Sequence, residues 1–296
     1  MSDMDQHLDF NGRVALVCGA ETGAGAAIAA HLAARGARIM LGAADGALAE
    51  RMARSVGSGG EAMASGDTAS GVAVEACAGC GAAAVAATIG HFGRIDIVAG
   101  VTPHLAPVAI VDGGAAYAAA VTAIDDAADA LAAALPHMRA QDYGRIAWVT
   151  GASGVFPEPG CAGEAICSAA IAALLRTAAA ENRAHDVRIN VLAATIAGGN
   201  GDAVLRCMPH ADPAHFSASA VMPLLAWLCH EHCTLDGEIM SAGGGRFARI
   251  FPATAPGYFN PALRDAGVAA ALDQIISADG AITPQRASGE LILTHV

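Results

Sequence analysis

The densest groups of chemically reactive side chains are two short runs of the sequence. Cys229-His-Glu-His-Cys233 concentrates metal-ligating types, and Cys77-Ala-Gly-Cys80 has the spacing of a redox motif or of half a zinc site. A structural zinc site needs a second ligand pair at suitable spacing, and none follows Cys80. Because the segment around Cys77 is expected to be helical, we predict no metal site. The remaining isolated histidines are expected at the surface or in packing: His91, His104 and His137.

Glu164 is the side chain that could carry acid–base chemistry. Facing a ligand, it would be a general base for an enolisation or a dehydration. The alternative interpretation is a carboxylate near a helix start, where the helix dipole favours negative charge. Thr150 and Ser153 could approach a ligand carbonyl, although a hydroxyl at a strand end more often satisfies local backbone groups. The sequence leaves these alternatives open.

Composition limits the classes of partner. The 296 residues are 54% hydrophobic, 15% charged and only 4% aromatic, with a formal net charge of −12. That acidity argues against nucleic acid and anionic membranes, which need clustered Lys and Arg. The most apolar stretch, 69–89, contains Glu75, so we expect no membrane span. The polar N-terminus has no signal core, and the eight cysteines are expected to be reduced thiols in a soluble, cytoplasmic protein.

Strands alternate with helices along most of the chain. Helices are expected up to Arg35 and at 47–56, 69–91, 115–140, 161–184, 218–230 and 265–277, and a loop or lid at 198–216. The pattern predicts an α/β fold: a single Rossmann-type, doubly wound parallel sheet. We expect one domain, 1–245, followed by a C-terminal extension, 246–296, that packs on the domain or on a neighbouring subunit. Strands are expected at 13–18, 37–41, 94–99, 145–149, 187–192 and 238–241.

Several segments, in consistent order, resemble the short-chain dehydrogenase/reductase family. VALVCGAETGAGAA resembles its glycine-rich turn, with Gly19, Gly23 and Gly25 at the glycine positions, and FGRIDIV, YGRIAWVTGASG and VRINVL follow. Residues 224–251 with the following TAPGYF resemble a subgroup, the (3R)-hydroxyacyl-CoA dehydrogenase domain of multifunctional enzyme type 2 and its bacterial relatives. The resemblance covers roughly four-fifths of the chain and implies NAD-dependent alcohol oxidation.

The catalytic side chains that this resemblance implies are replaced. Family members carry Ser after the fifth strand, Tyr thirteen residues later and Lys four residues after that; Asn on the preceding helix completes a proton relay. Aligned through GRIAWVTGASG, the first three positions hold Gly151, Glu164 and Ser168, and the Asn position falls near Ala123. The resemblance therefore implies a catalytic site in which no family catalytic residue remains.

The implied cofactor contacts are also incomplete. The glycines would let the backbone approach a pyrophosphate at a helix N-terminus. However, Ala43 ends the second strand, where an acidic residue would bind the ribose diol, and Glu21 adds negative charge beside the phosphates. Gly100-Val-Thr-Pro103 replaces the Asn-Asn-Ala-Gly segment of the fourth strand. We expect no cofactor or weak NAD(H) binding, through residual contacts at Gly19, Gly23, Gly25 and Asp67.

Three functions are compatible with these observations. The preferred hypothesis is a catalytically silent subunit that supports an active paralogous hydroxyacyl-CoA dehydrogenase, in a dimer or tetramer formed through helices 115–140 and 161–184. The alternative is a repurposed non-redox enzyme that uses Glu164 on an acyl-CoA-like ligand in a pocket closed by 198–216. A second alternative is an ordinary NAD(P)-dependent 3-hydroxyacyl-CoA dehydrogenase, which should lose at least the roughly 10²–10⁴-fold of general acid–base catalysis.

Overall fold

The computed structural model describes residues 8–57, 74–107, 110 and 114–290. Its centre is an eight-stranded sheet in the order β3-β2-β1-β4-β5-β6-β7-β8, so the expected Rossmann-type parallel sheet is confirmed. Pairing from β3 across to β7 is parallel. The strands are β1 (Val14–Cys18), β2 (Arg38–Ala43), β3 (Val74–Ala78), β4 (Ile97–Val101), β5 (Gly144–Thr150), β6 (Val187–Ala194), β7 (Ile239–Gly243) and β8 (Arg246–Ile250).

Helices connect the strands on both sides of the sheet. Short 3₁₀ helices lie at Ala152–Gly154 and Pro213–Phe216. The region 198–216, expected to be irregular, therefore contains one short α-helix and one 3₁₀ turn. The α-helices are α1 (Gly23–Ala33), α2 (Gly46–Gly57), α3 (Ala82–Phe92), α4 (Gly114–Gln141), α5 (Ala162–Glu181), α6 (Asp202–Arg206), α7 (Ala218–Cys229), α8 (Asp265–Ile276) and α9 (Ala287–Glu290).

Strand β3 was not predicted. The expectation of one helix over 69–91 is wrong, because residues 74–78 form a strand and α3 begins only at Ala82. The strand sequence VEACA has little β-branched character, and its state is decided by pairing with β2, in which Ile39 faces Val74 and Ala43 faces Ala78. Strand preference depends on such neighbours more than on the residues themselves.

The central strands are buried on both faces. All five residues of β1 and β4 and all seven of β5 are shielded from solvent. A parallel sheet covered by helices on both sides requires such continuous apolar strands. Because these strands run parallel, the carboxyl ends of β1, β4, β5 and β6 meet along one edge of the sheet.

Helices α4 and α5 pack against each other closely because their contact residues are small. A Cβ added at Gly163 would lie 3.0 Å from Ala116 Cβ. On α5 the buried positions recur every three or four residues, at Glu164, Ser168, Ile171 and Leu175 among others. This period directs one face of the helix, including positions 164 and 168, toward the sheet.

Helix α5 also corrects an expectation about membranes. By length and composition its 20 residues could cross a bilayer, although no such segment was predicted. Half of its most apolar window is buried within the protein. Since α4, β5 and β6 contact it, its buried apolar residues belong to the core.

Two buried charges tie the amino ends of the strands together. Asp96 is fully buried, accepts the Val14 N–H at 2.9 Å and pairs with Arg94 and Arg13. Arg145, 1% exposed, donates to the carbonyl oxygens of His230 and Glu231 and to those of two further residues. A buried charge is tolerated only with such partners, so these side chains fix the end of the sheet opposite the candidate site.

The chain divides into two compact units, Met1–Arg249 and Ile250–Val296. The predicted boundary after residue 245 falls inside the turn that joins β7 to β8, where Gly244 and Gly245 both have positive φ. Two residues with positive φ are typical of a tight β-hairpin. The first unit therefore extends four residues further than expected; the second contains α8, α9 and a bridge between Thr254 and Ile282.

Candidate functional site

A cavity of about 360 Å³ lies at the carboxyl ends of the central strands. The glycine-rich turn forms one wall, the end of β4 another, and residues 196–200 after β6 a third. This is the edge at which doubly wound sheets bind ligands. The lining residues include Glu21, Thr22, Gly23, Val101, Thr102 and His104. His104 is exposed, as expected, and also borders the cavity.

The three glycines of the turn have different roles. Gly19 has φ +78°, and a Cβ there would lie 2.7 Å from the Val101 carbonyl oxygen. A Cβ at Gly25 would overlap the Gly19 backbone, whereas a Cβ at Gly23 would meet nothing within 4 Å. Thr22 caps α1 by accepting the Gly25 N–H at 2.8 Å. Chain packing thus requires two of the glycines, and only Gly23 leaves open space at the cavity.

Gly151 and Glu164 share one position. A Cβ at residue 151 would overlap Glu164 Oε1 and lie 2.9 Å from its Cδ. The Glu164 carboxyl therefore fills the volume that a serine side chain at residue 151 would need. Residue 164 is 7% exposed, and the cavity lining does not include it. Of the features expected for a pocket that 198–216 closes over Glu164, this cavity has residues 198–200 in its lining but not Glu164.

Burial governs the chemistry of Glu164. Loss of solvent raises the pKa of its carboxyl, and the neighbouring Ser153 hydroxyl offsets part of that rise. Ser153 Oγ is itself buried without a hydrogen-bond partner of ordinary geometry. The same environment raises the pKa of Cys167 to about 11. Among the described residues no Arg forms an ion pair with Glu164, so no cation counteracts the effect of burial on its pKa.

The two other positions that the resemblance aligns with catalytic residues, 168 and 123, are buried. Ser168 Oγ accepts the Gly151 N–H at 3.1 Å and is 1% exposed. Ala123 is a small buried residue of α4. None of the 296 residues is lysine, since all 16 basic residues are arginine. The relay of the family therefore cannot be completed by a lysine from elsewhere in this sequence.

A second glycine makes room for a large side chain. Gly100 lies within β4, and a Cβ there would overlap the indole ring of Trp148 on β5. The Asn that the family resemblance implies at residue 100 would not fit beside this ring. Trp148 is 2% exposed, and its Nε1 has no hydrogen-bond partner. The contact between Gly100 and Trp148 was not predicted from the sequence, although both residues lie in segments that were aligned with the family.

A tightly held dinucleotide does not fit the residues present. Ala43 at the end of β2 is fully buried and offers no acceptor for a ribose. Asp67, expected to contact adenine, lies outside the described residues; the third strand ends instead at Ala78. Glu21 borders the space where phosphates would lie. The turn around Gly23 keeps open space for such a ligand, and Ala43 supplies no side-chain acceptor for its ribose.

Residues 198–216 are anchored at their base. The Asn200 side chain donates to the carbonyl oxygens of Thr150 at 3.1 Å and Ala194 at 2.8 Å, and it accepts the Ile196 N–H. These bonds join β5, β6 and the cavity wall. Asn200 was not among the predicted site residues, because an isolated Asn in a glycine-rich loop gives no sequence signal.

The cysteine and histidine runs do not converge on a metal. Within the described part of the chain, no three His, Cys, Asp or Glu side chains are placed to hold an ion. His230 bonds the Asp9 carbonyl through Nε2, and Glu231 pairs with Arg13. Cys229 and Cys233 are buried. Cys77 lies in β3, not in a helix as expected, and Cys80 follows the strand.

Comparison with known proteins agrees with this architecture. The sequence profile described as short chain dehydrogenase matches residues 13–201. The chain is 30% identical over 264 residues to peroxisomal multifunctional enzyme type 2 of Mus musculus, covering 83% of this chain and 34% of that protein. The corresponding Drosophila melanogaster enzyme is 27% identical, with coverage of 83% and 41%. The chain thus spans well under half the length of these relatives.

Solved structures show the same fold. The full-length Drosophila melanogaster enzyme superposes with a TM-score of 0.72 at 21% identity, covering 96% of this chain and 49% of that one. NAD⁺-bound xylitol dehydrogenase gives a TM-score of 0.66 at 21% identity, with coverage of 80% and 99%. At these identities the likeness concerns the fold alone.

The shared position of Gly151 and Glu164 predicts a non-additive pair of substitutions. Gly151→Ser should lower the free energy of unfolding by about 1–2 kcal/mol, because the carboxyl must leave its place. In a Glu164→Ala background the loss should largely disappear, as measured by urea unfolding in a double-mutant cycle. Gly144→Ala, at the opposite end of β5, is the control: its Cβ would lie 2.5 Å from Met138 Sδ, and its effect should be the same in both backgrounds because it shares no partner with residues 151 and 164. Additivity at 151 and 164 would contradict the shared position.

Burial of Glu164 predicts a pH-dependent stability. Its folded pKa is raised above the ordinary 4.5, so its favourable contribution is complete below about pH 4.5 and is lost as pH rises through the folded pKa. Glu164→Gln should therefore stabilise the protein at pH 7, on the order of 1 kcal/mol, and give little gain at pH 4.5. Thermal unfolding across this range measures the difference. An equal effect of Glu164→Gln at both pH values would show that the carboxyl is not perturbed.

Proposed function

The chain belongs to the short-chain dehydrogenase family, and we propose that it is a catalytically silent subunit. In this role it supports an active paralogue of the same family, a dehydrogenase of hydroxyacyl-CoA or a similar alcohol, in a heteromeric complex. The relationship to multifunctional enzyme type 2 favours that substrate class for the partner. The role requires the fold and its interaction surfaces, and it requires no chemistry of the chain's own site.

One observation carries the proposal: the Glu164 carboxyl fills the place of the catalytic serine side chain. A substrate carbonyl would meet a buried acid there instead of a hydroxyl beside a tyrosine. Tyrosine occurs only at positions 117, 143 and 258. Tyr117 is 56% exposed on α4, and Tyr143 lies beside Arg13 and Arg145 at the opposite edge of the sheet. Neither replaces the missing acid.

Helices α4 and α5 supply the surface for a partner in this proposal. Between Glu164 and Arg176 the sequence of α5 has no charged residue. Its solvent-facing side carries Ile166, which is 39% exposed, together with Ala169 and Ala173, while Val121 on α4 is 38% exposed. Small and apolar residues let helices of two subunits approach closely. Side chains that would otherwise face water would be buried by such contact.

The two enzymatic alternatives have less support. A repurposed enzyme acting through Glu164 needs that carboxyl at the cavity, and the described lining residues do not include it. Burial raises the pKa of the Glu164 carboxyl, and this shift is what supports the alternative. An ordinary dehydrogenase would need an acid–base group that positions 151, 164 and 168 do not offer.

The proposal predicts that the purified chain transfers no hydride. With NADH and a 3-ketoacyl-CoA, turnover should lie at least 10²–10⁴-fold below that of an active family member. The triple variant Gly151→Ser, Glu164→Tyr, Ser168→Lys should remain inactive, because the cofactor contacts are also incomplete. Absorbance of NADH follows turnover, and NADH fluorescence follows binding.

A matched variant distinguishes the effect of the missing catalytic residues from the effect of the incomplete cofactor contacts. Adding Ala43→Asp to the triple variant restores an acceptor at the end of β2 and should strengthen NADH binding over the triple variant alone. Rapid NADH oxidation by the unmodified chain would refute the silent-subunit proposal outright.

A further inference from the structure

Two cysteines that are distant in sequence meet beneath the glycine-rich turn. Cys18 ends β1, and Cys80 lies in the loop after β3. Cys18 Sγ donates to the Cys80 carbonyl oxygen at 3.1 Å, and the two thiols are within hydrogen-bonding reach of each other. The described residues place them together although β2 separates their strands in the sheet.

The absence of a side chain at Gly42 makes this contact possible. Gly42 pairs with Cys18 on one side and with Cys77 on the other. A Cβ at Gly42 would lie 2.7 Å from the Gly79 carbonyl oxygen, and Gly79 itself has φ +82°. The loop therefore crosses over β2 at Gly42, which brings Cys80 to the end of β1.

The environment of Cys80 favours its thiolate. The Gly19 N–H donates to Cys80 Sγ at 3.2 Å. The hydrogen bond from the Cys18 thiol lowers the pKa of Cys80 most, and the Gly19 bond adds to it, against burial and the charges of Glu21 and Asp126. Backbone N–H groups stabilise thiolates in this way in reactive cysteines. Cys80 is also partly exposed, so a small reagent can reach it.

Three other thiols, two of them nearby, differ in these respects. Cys77 belongs to the same Cys-x-x-Cys run, but burial raises its pKa to about 11. Cys18 is buried, and its pKa is raised by the hydrogen bond to Cys80 and by burial. Cys207 is exposed, yet its bond to Glu158 raises its pKa. Only Cys80 among these four combines access with a stabilised anion.

We propose that Cys18 and Cys80 form a redox-active pair, oxidised by a peroxide to a disulfide across the glycine-rich turn. The Cys80 thiolate attacks one peroxide oxygen; the O–O bond breaks, leaving Cys80 sulfenic acid and hydroxide. The Cys18 thiol then attacks the Cys80 sulfur, the S–O bond breaks, and water leaves with the Cys18 proton. Two thiols are oxidised and one peroxide is reduced. Cys80 Sγ accepts the Gly19 N–H, so the modification acts at the start of the glycine-rich turn.

Peptide mass spectrometry of the whole chain after hydrogen peroxide treatment tests the pair. Trypsin cleaves after Arg13, Arg35, Arg54 and Arg94, which places Cys18 in peptide 14–35 and Cys77 with Cys80 in peptide 55–94. We expect these two peptides to be joined, with a loss of two hydrogens. Cys77→Ser should keep the link and Cys80→Ser should abolish it. A link that survives Cys80→Ser, or no link in the unmodified chain, would overturn the proposal.

Two further measurements test the reactivity of Cys80 and the role of Cys18. At pH 7, iodoacetamide should modify Cys80 roughly tenfold faster than the more exposed Cys207. In Cys18→Ser, the sulfenic acid at Cys80 should persist and be trapped by dimedone, because no second thiol displaces it. Faster labelling of Cys207, or no dimedone adduct at Cys80, would contradict the assigned roles.

Discussion

Glu164 keeps its place only because residue 151 has no side chain. The carboxyl and a Cβ at 151 would occupy the same volume, so the two positions constrain each other and neither can return to the family's residue without the other moving. A similar constraint couples Gly100 on β4 to the indole of Trp148 on β5. In both pairs a glycine at the ligand edge of the sheet accommodates a large neighbour. The volume that family members use for polar catalytic groups is here part of the packed interior.

The scaffold around this edge is complete. The glycine-rich turn, the buried central strands and the α4–α5 pair keep the architecture of the family, and Asp96 and Arg145 fix the opposite end of the sheet with paired charges. Under the silent-subunit proposal, replacement of the aligned catalytic positions within an intact fold is what selection for assembly, without selection for turnover, would produce. The cavity is lined on one wall by the glycine-rich turn, at residues 21–24.

Most of the fold, but only part of the site, follows from the sequence. Continuous apolar runs such as VALVC and the alternation of strands with helices predict the parallel sheet, and motif alignment locates Gly151, Glu164 and Ser168. Strand β3 escapes prediction because an alanine-rich segment becomes a strand only by pairing with β2. The position of the Glu164 carboxyl, the anchor Asn200 and the meeting of Cys18 with Cys80 depend on contacts between distant segments. Local patterns contain no information on such contacts.

Native mass spectrometry of the chain, purified at its natural level from its source, tests the silent-subunit proposal most directly. We expect a stoichiometric second chain of the short-chain dehydrogenase family whose own sequence carries the Ser, Tyr and Lys that are missing here. Ile166→Glu on the outer face of α5 should release that chain, whereas Ala86→Glu, at an exposed position of α3, should not. A homo-oligomer without any second chain, unaffected by Ile166→Glu, would contradict the proposal.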